Sequence, residues 1–184
     1  MVSQANEFVA TRRRLMTTHF RVIALSNDIA QYVRSARKAP RYEHPAYTSV
    51  ATGHGPCRLC LRTFRVGQEE RILFTFDPFD GLEEVPLPGP IFIHAESCSR
   101  YPEEDGYPAE LRPYPAVIVA YSKGQRVLAQ INADAGTQPS AIEQLLDRDD
   151  VDYIIVRDRE AGCYDFRVVR FPAETSPSGA KHKC

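Results

Sequence analysis

The 184-residue chain has no tryptophan, no long apolar run and almost no net charge. Each absence excludes something. A membrane-crossing helix needs roughly 18 consecutive apolar residues, and no stretch approaches that. A formal net charge of −1 supplies no global field for nucleic acid or an anionic membrane. The one basic run, Arg12-Arg13-Arg14, is a weak phosphate footprint and reads as part of a solvated arm. No Gly-rich phosphate loop, no GxSxG elbow and no HExxH helix occurs. Without tryptophan, nine Tyr and nine Phe must supply the bulk of the core.

What is present describes an ordinary globular domain. Hydrophobic residues make up 43% and charged residues 26%, enough to bury a core in one domain of this length. Five cysteines occur, at 57, 60, 98, 163 and 184. The odd count, with no secretory signal before it, argues against a disulfide framework and for a reduced, cytoplasmic setting.

The pattern along the chain predicts three parts: a flexible arm over 1–17, a single globular domain over 18–171 and a disordered tail over 172–184. Strands are expected at 19–25, 71–77, 91–93, 117–121, 126–131, 151–157 and 163–171. A first helix follows Ser26 or Asn27 and places Ile29, Tyr32, Val33 and Ala36 on one face. A second, short helix opens on a Ser140–Glu143 capping box, with Ile142, Leu145 and Leu146 on its apolar face. Residues 41–56 read as irregular. Residues 78–90, with four prolines and two glycines, read as a long loop. The acidic residues Asp77, Asp80, Glu83 and Glu84 read as solvated. Hairpins with interspersed helices predict an α+β fold, mostly antiparallel sheet with a few short helices and long loops.

The chemistry concentrates in two pairs. Cys57-Arg58-Leu59-Cys60 has two residues between its thiols. His94-Ala95-Glu96-Ser97-Cys98 has three between imidazole and thiol, which share a face if Ala95 to Ser97 form a helical turn. Each pair makes a local chelate, so the fold need only bring the two together to offer four tetrahedral zinc ligands. Residues 61–93 between the pairs are enough for a hairpin. The layout resembles LIM-type and poly(ADP-ribose) polymerase-type zinc fingers, but those place two residues between His and Cys.

Two other readings stay open. Thiol chemistry, by a low-pKa CxxC or a Cys-His dyad, would make the chain an enzyme. No helix start follows the CxxC and no triad signature accompanies it. In the third reading Cys57, Cys60, Cys98 and His94 are core residues, since cysteine packs as a small hydrophobe. A separate possible ligand face is Cys163, Asp165 and Arg167, which alternate with the core-facing Tyr164, Phe166 and Val168 in an extended strand. That face can line a small anion pocket with Arg167 as its fork, or hold an ordinary solvated Asp-Arg pair.

Several segments together resemble a bacterial family, the domain of unknown function 1203 family. They are Cys57-Arg58-Leu59-Cys60-Leu61, the Gly67 to Phe79 segment with Asp77-Pro78-Phe79, Gly89-Pro90-Ile91-Phe92-Ile93-His94, Cys98-Ser99-Arg100-Tyr101 and Gly162-Cys163-Tyr164-Asp165-Phe166-Arg167. The resemblance spans 18–171 and implies a single bacterial domain without an assigned activity. The expectation is a small cytoplasmic binding domain, with a structural zinc as its possible cofactor and an unknown small molecule or protein as its partner. The alternative is a Cys/His-dependent enzyme.

Overall fold

The computed structural model describes residues 20–82 and 85–171. The arm read over 1–17, the tail over 172–184, and Glu83 and Glu84 lie outside the described residues.

The described chain is α+β and mostly sheet. Its strands are β1 (Phe20–Ile23), β2 (Tyr47–Val50), β3 (Glu70–Phe76), β4 (Gly89–His94), β5 (Ala116–Tyr121), β6 (Val127–Ala133), β7 (Tyr153–Asp158) and β8 (Tyr164–Arg170). Two helices, α1 (Asn27–Ala36) and α2 (Gln138–Leu146), interrupt them. Five strands form one antiparallel sheet in the order β1-β8-β7-β5-β6, and three form a second in the order β2-β3-β4.

Period-two alternation builds the layers. On β7, Ile154 and Val156 face one core with Phe166, Val168 and the α2 residues Ile142, Leu145 and Leu146. Tyr153 and Ile155 face the other core, shared with Ile72, Phe74, Ile91 and Ile93 of the small sheet and Ala30 and Val33 of α1. The second core also contains Cys57, Leu59, Cys60 and Phe64. The first cysteine pair is therefore built into the seam between the two sheets.

Four local expectations change. Ser26 caps α1, its Oγ accepting from the Ile29 amide at 3.3 Å, but the buried face is Ala30 and Val33. Tyr32 points outward, and its hydroxyl donates to Glu43. α2 begins earlier than expected, after Thr137, with Pro139 in its first turn, so Ser140 lies inside the helix and is not a cap. β2 appears within the stretch read as irregular: it is an edge strand, exposed at all four positions, and shows no apolar alternation. Asp77 is buried, not solvated; it accepts from the amides of Phe79 and Leu87 and from the Tyr42 hydroxyl.

Candidate metal centre

The Cys57–Cys60 segment is a tight turn. Pro56 and Thr63 bridge across its base, the Cys57 amide donates to Arg62 O at 2.9 Å and the Leu61 amide donates to Cys57 O at 2.8 Å. Leu61 closes the turn at φ 53°, the left-handed region that a branched side chain seldom enters. The turn is docked by its own backbone. Arg58 N donates to Phe92 O of β4, and Arg58 O accepts from the Leu25 amide beyond β1.

Phe92 lies two residues before His94, the last residue of β4, so the docked turn and the strand end meet. The ring of Phe64 packs 4.6 Å from the His94 ring. After His94 the chain bends at Ala95 and Glu96 and forms no helical turn; the bend, with Ala95 N held by Glu70 O, returns Cys98 to the site.

The three thiol sulfurs and the imidazole come together, with all four ligand atoms within 4.8 Å of one another. Cys57, Cys60 and His94 are buried and Cys98 is half-buried. Cys57 Sγ lies 3.8 Å from Cys98 Sγ, and Cys60 Sγ lies 3.5 Å from His94 Nδ1. A tetrahedral zinc with usual bond lengths has S···S edges of about 3.8 Å and S···N edges of about 3.6 Å. These two edges match those values, and the three thiols and one imidazole are a donor set that zinc takes.

The surroundings suit it too. His94 Nδ1 faces the sulfurs, and Nε2 faces Glu69 Oε2 at 3.4 Å. A carboxylate behind a ligating imidazole fixes its orientation and raises its basicity. Glu69 is itself fixed by the Arg65 amide and guanidinium, and those bonds hold its carboxyl below the usual range. The His94 amide donates to Cys57 Sγ at 3.3 Å. Arg34 reaches from α1 to Cys98 Sγ at 3.4 Å and to His94 O at 3.1 Å. Arg62 is held above its ordinary value, first by its hydrogen bond to Cys60. Three thiolates around a divalent ion leave one net negative charge, and these guanidiniums offset it.

Electrostatics within the cluster separate the thiols. Hydrogen bonds from Cys57 and Cys98 lower Cys60, so it ionises first. Burial raises Cys57, reinforced by its neighbours' sulfurs. Burial opposes a charge on His94, but its hydrogen bonds and proximity to Cys60 and Cys98 push it up to about 10. The site therefore concentrates negative charge, which a metal ion or an imidazolium balances.

Cys163, Asp165 and Arg167 do not share a face. The β7–β8 register pairs Arg157 with Tyr164 but Val156 with Phe166, so Asp165 occupies a bulge. The bulge breaks the alternation. Cys163 borders a small cavity beside Pro78 and Pro90, Asp165 faces a different one, and Arg167 lies over the Tyr153 ring. Arg167 Nη2 also donates to Pro78 O.

Sequence reading missed Glu69, Arg34 and Arg58. Glu69 had a signal: it immediately precedes the strand that pairs with the His94 strand. Arg58 had none, since a charged residue inside a CxxC gives no hint that it is buried.

No curated protein and no solved structure matches the chain. A family model matches residues 54–170, which include all four residues of the cluster, Glu69 and Asp165. The match omits β1, α1 and β2, and is narrower than the span that the resemblance suggested. On that match the chain belongs to the family described as a protein of unknown function (DUF1203).

Proposed function

We propose that this chain is a binding domain held together by one structural zinc ion at Cys57, Cys60, His94 and Cys98. The observation that carries the reading is the set of four donors within 4.8 Å, three of them buried, with two edges of tetrahedral length. A zinc ion here supplies folding free energy and leaves no coordination position open, because protein donors fill all four. The residues' own work is to join the Cys57–Cys60 turn to the end of β4. Backbone hydrogen bonds, the Arg34 guanidinium on His94 O and Cys98 Sγ, and the apolar side chains of Phe64 and Leu59 also close that seam. Four free thiols in the described chain suit a reducing compartment, so we place the protein in the cytoplasm. Among the described residues no helix is long and apolar enough to cross a membrane.

One observation favours thiol chemistry instead: Cys98 is half-buried beside the Arg34 guanidinium, which stabilises a thiolate. Elemental analysis of the purified protein decides between the two. A structural site gives about one zinc per chain with sulfur-rich tetrahedral coordination. A metal-free, fully folded protein whose Cys98 alkylates rapidly supports the thiol reading.

A further inference from the structure

A cavity of about 400 Å³ lies between the residues that flank the Cys57–Cys60 turn, His54 to Pro56 and Thr63, and the five-stranded sheet at Ala116, Asp158 and Asp165. Its volume lies within the range of small-molecule sites. Tyr107, Leu111, Tyr114 and Pro115 form apolar walls. The rings of His54 and Tyr114 lie side by side at 5.9 Å with a 31° tilt and offer adjacent aromatic faces. Against these walls stand three carboxylates, Asp158, Glu160 and Asp165, and no lysine or arginine lines the space.

Asp165 is the informative one. It is only 6% exposed, yet its Oδ1 receives no hydrogen bond from a described residue. Arg58 Nη2 lies 2.9 Å from that oxygen as an ion pair without hydrogen-bond alignment. The guanidinium is already committed: Nε donates to Tyr164 O at 2.7 Å and Nη1 to Pro56 O. It neutralises Asp165 from behind and does not enter the cavity. Asp158 gives Oδ1 to the amides of Glu160 and Ala161, which leaves Glu160 as the exposed acid of the rim. The Tyr107 hydroxyl, on a side chain almost wholly buried, has no hydrogen-bond partner among the described residues. Asp165 stands in the cavity wall with Oδ1 turned to Arg58. An anion would meet the carboxylates of Asp158, Glu160 and Asp165 and no lysine or arginine in the lining, so charge selects against it.

We propose that this cavity binds a small organic cation, an amine carried on an aromatic or branched aliphatic body. The ammonium group donates to Asp165 and faces Glu160, and the apolar body lies against Tyr107, Leu111 and the His54–Tyr114 rings. The site shares no residue with the Cys/His cluster and stands whether or not that cluster holds metal.

The test uses the full chain and two probes of nearly equal shape, 2-phenylethylamine and 2-phenylethanol, followed by NMR with metal content measured on the same sample. The amine should saturate and shift the Tyr107, Tyr114 and His54 ring resonances. The alcohol should bind at least about ten-fold more weakly, since a hydrogen bond to a charged group is worth that much. Asp165→Asn should weaken the amine by about ten-fold or more, and Glu160→Gln by a few-fold, with the alcohol unchanged. Equal binding of both probes, shifts that map elsewhere, or no saturation at about 10 mM amine would overturn the proposal. If Asp165→Asn fails to fold, the probe pair and the exposed Glu160→Gln variant decide the matter without it.

Discussion

Arg58 stands between two of the clustered cysteines, yet its guanidinium turns away from them and meets Asp165 at 2.9 Å. Both side chains are almost fully buried. One four-residue turn thus presents thiols to the Cys/His cluster and a counter-charge to the carboxylate of the cavity. Backbone bonds to Leu25 and Phe92 hold that turn, so the two sites share a mechanical support while using different atoms.

The first consequence concerns the ligands. Cys57→Ser or His94→Ala should lower zinc content towards zero and lower the melting temperature together. A structural metal contributes folding free energy directly, and a loss of about 3 kcal/mol moves the midpoint by roughly 10 °C in a chain of this size. Core packing alone also predicts destabilisation, but with no metal to lose. A catalytic dyad predicts near-normal melting. Zinc content measured beside the melt separates the three.

Glu69 offers a finer test. Glu69→Gln keeps the size of the side chain but removes the charge behind His94 Nε2. Partners of a ligating imidazole typically matter 10- to 100-fold in metal affinity, to order of magnitude. Competition against a chromophoric chelator should show a loss of that order, with the fold intact. Unchanged affinity would show that the 3.4 Å contact does not orient the ligand.

The sequence disclosed the cluster and the fold class for a physical reason. Cys57, Cys60, His94 and Cys98 are chemically conspicuous, alternation in Arg71 to Asp77 is the imprint of a strand with two faces, and the unbroken apolar run Tyr153 to Val156 is that of a strand buried on both. What stayed hidden depends on long-range contact. β2 buries none of its four side chains, so hydrogen bonds to β3 alone define it. Asp165 was misplaced because strict alternation assumes an unbroken strand, and a single bulged residue reverses every assignment beyond it. Asp77 reads as a solvated loop acid until the turn amides and Tyr42 are seen to surround it.

The buried ion pair predicts an asymmetry. Arg58→Met leaves the Asp165 carboxylate buried and unpaired, a change that usually costs about 3–5 kcal/mol. The double variant Arg58→Met/Asp165→Leu removes both charges and should recover most of that loss, because the desolvation penalty disappears with the pair. Urea denaturation of the single and double variants measures the coupling. Equal stabilities for the two would mean that the contact contributes specificity only, or nothing.

Asp165 also gives the domain a pH dependence with a definite sign. Burial raises its carboxyl, Asp158 adds to the effect and Arg58 only partly opposes it, so the group is pushed up to about 6 from an ordinary value of 3.8. Between those values the folded chain binds the proton more readily than the unfolded one. Its contribution is therefore fully present below about pH 4 and is lost as pH rises through 6. A shift of roughly two units corresponds to about 3 kcal/mol across that window. On the proposed zinc site, acid would protonate the thiolates, release the metal and act in the opposite direction, so the raw stability curve would mix the two. Two measurements isolate the carboxyl. Its ¹³Cγ resonance should titrate with a midpoint near 6, and the stability difference between the parent and Asp165→Asn should change by about that amount between pH 4 and 7 and level off above it. A midpoint near 4 would show that Arg58 outweighs burial, and the difference curve would then be flat across the window.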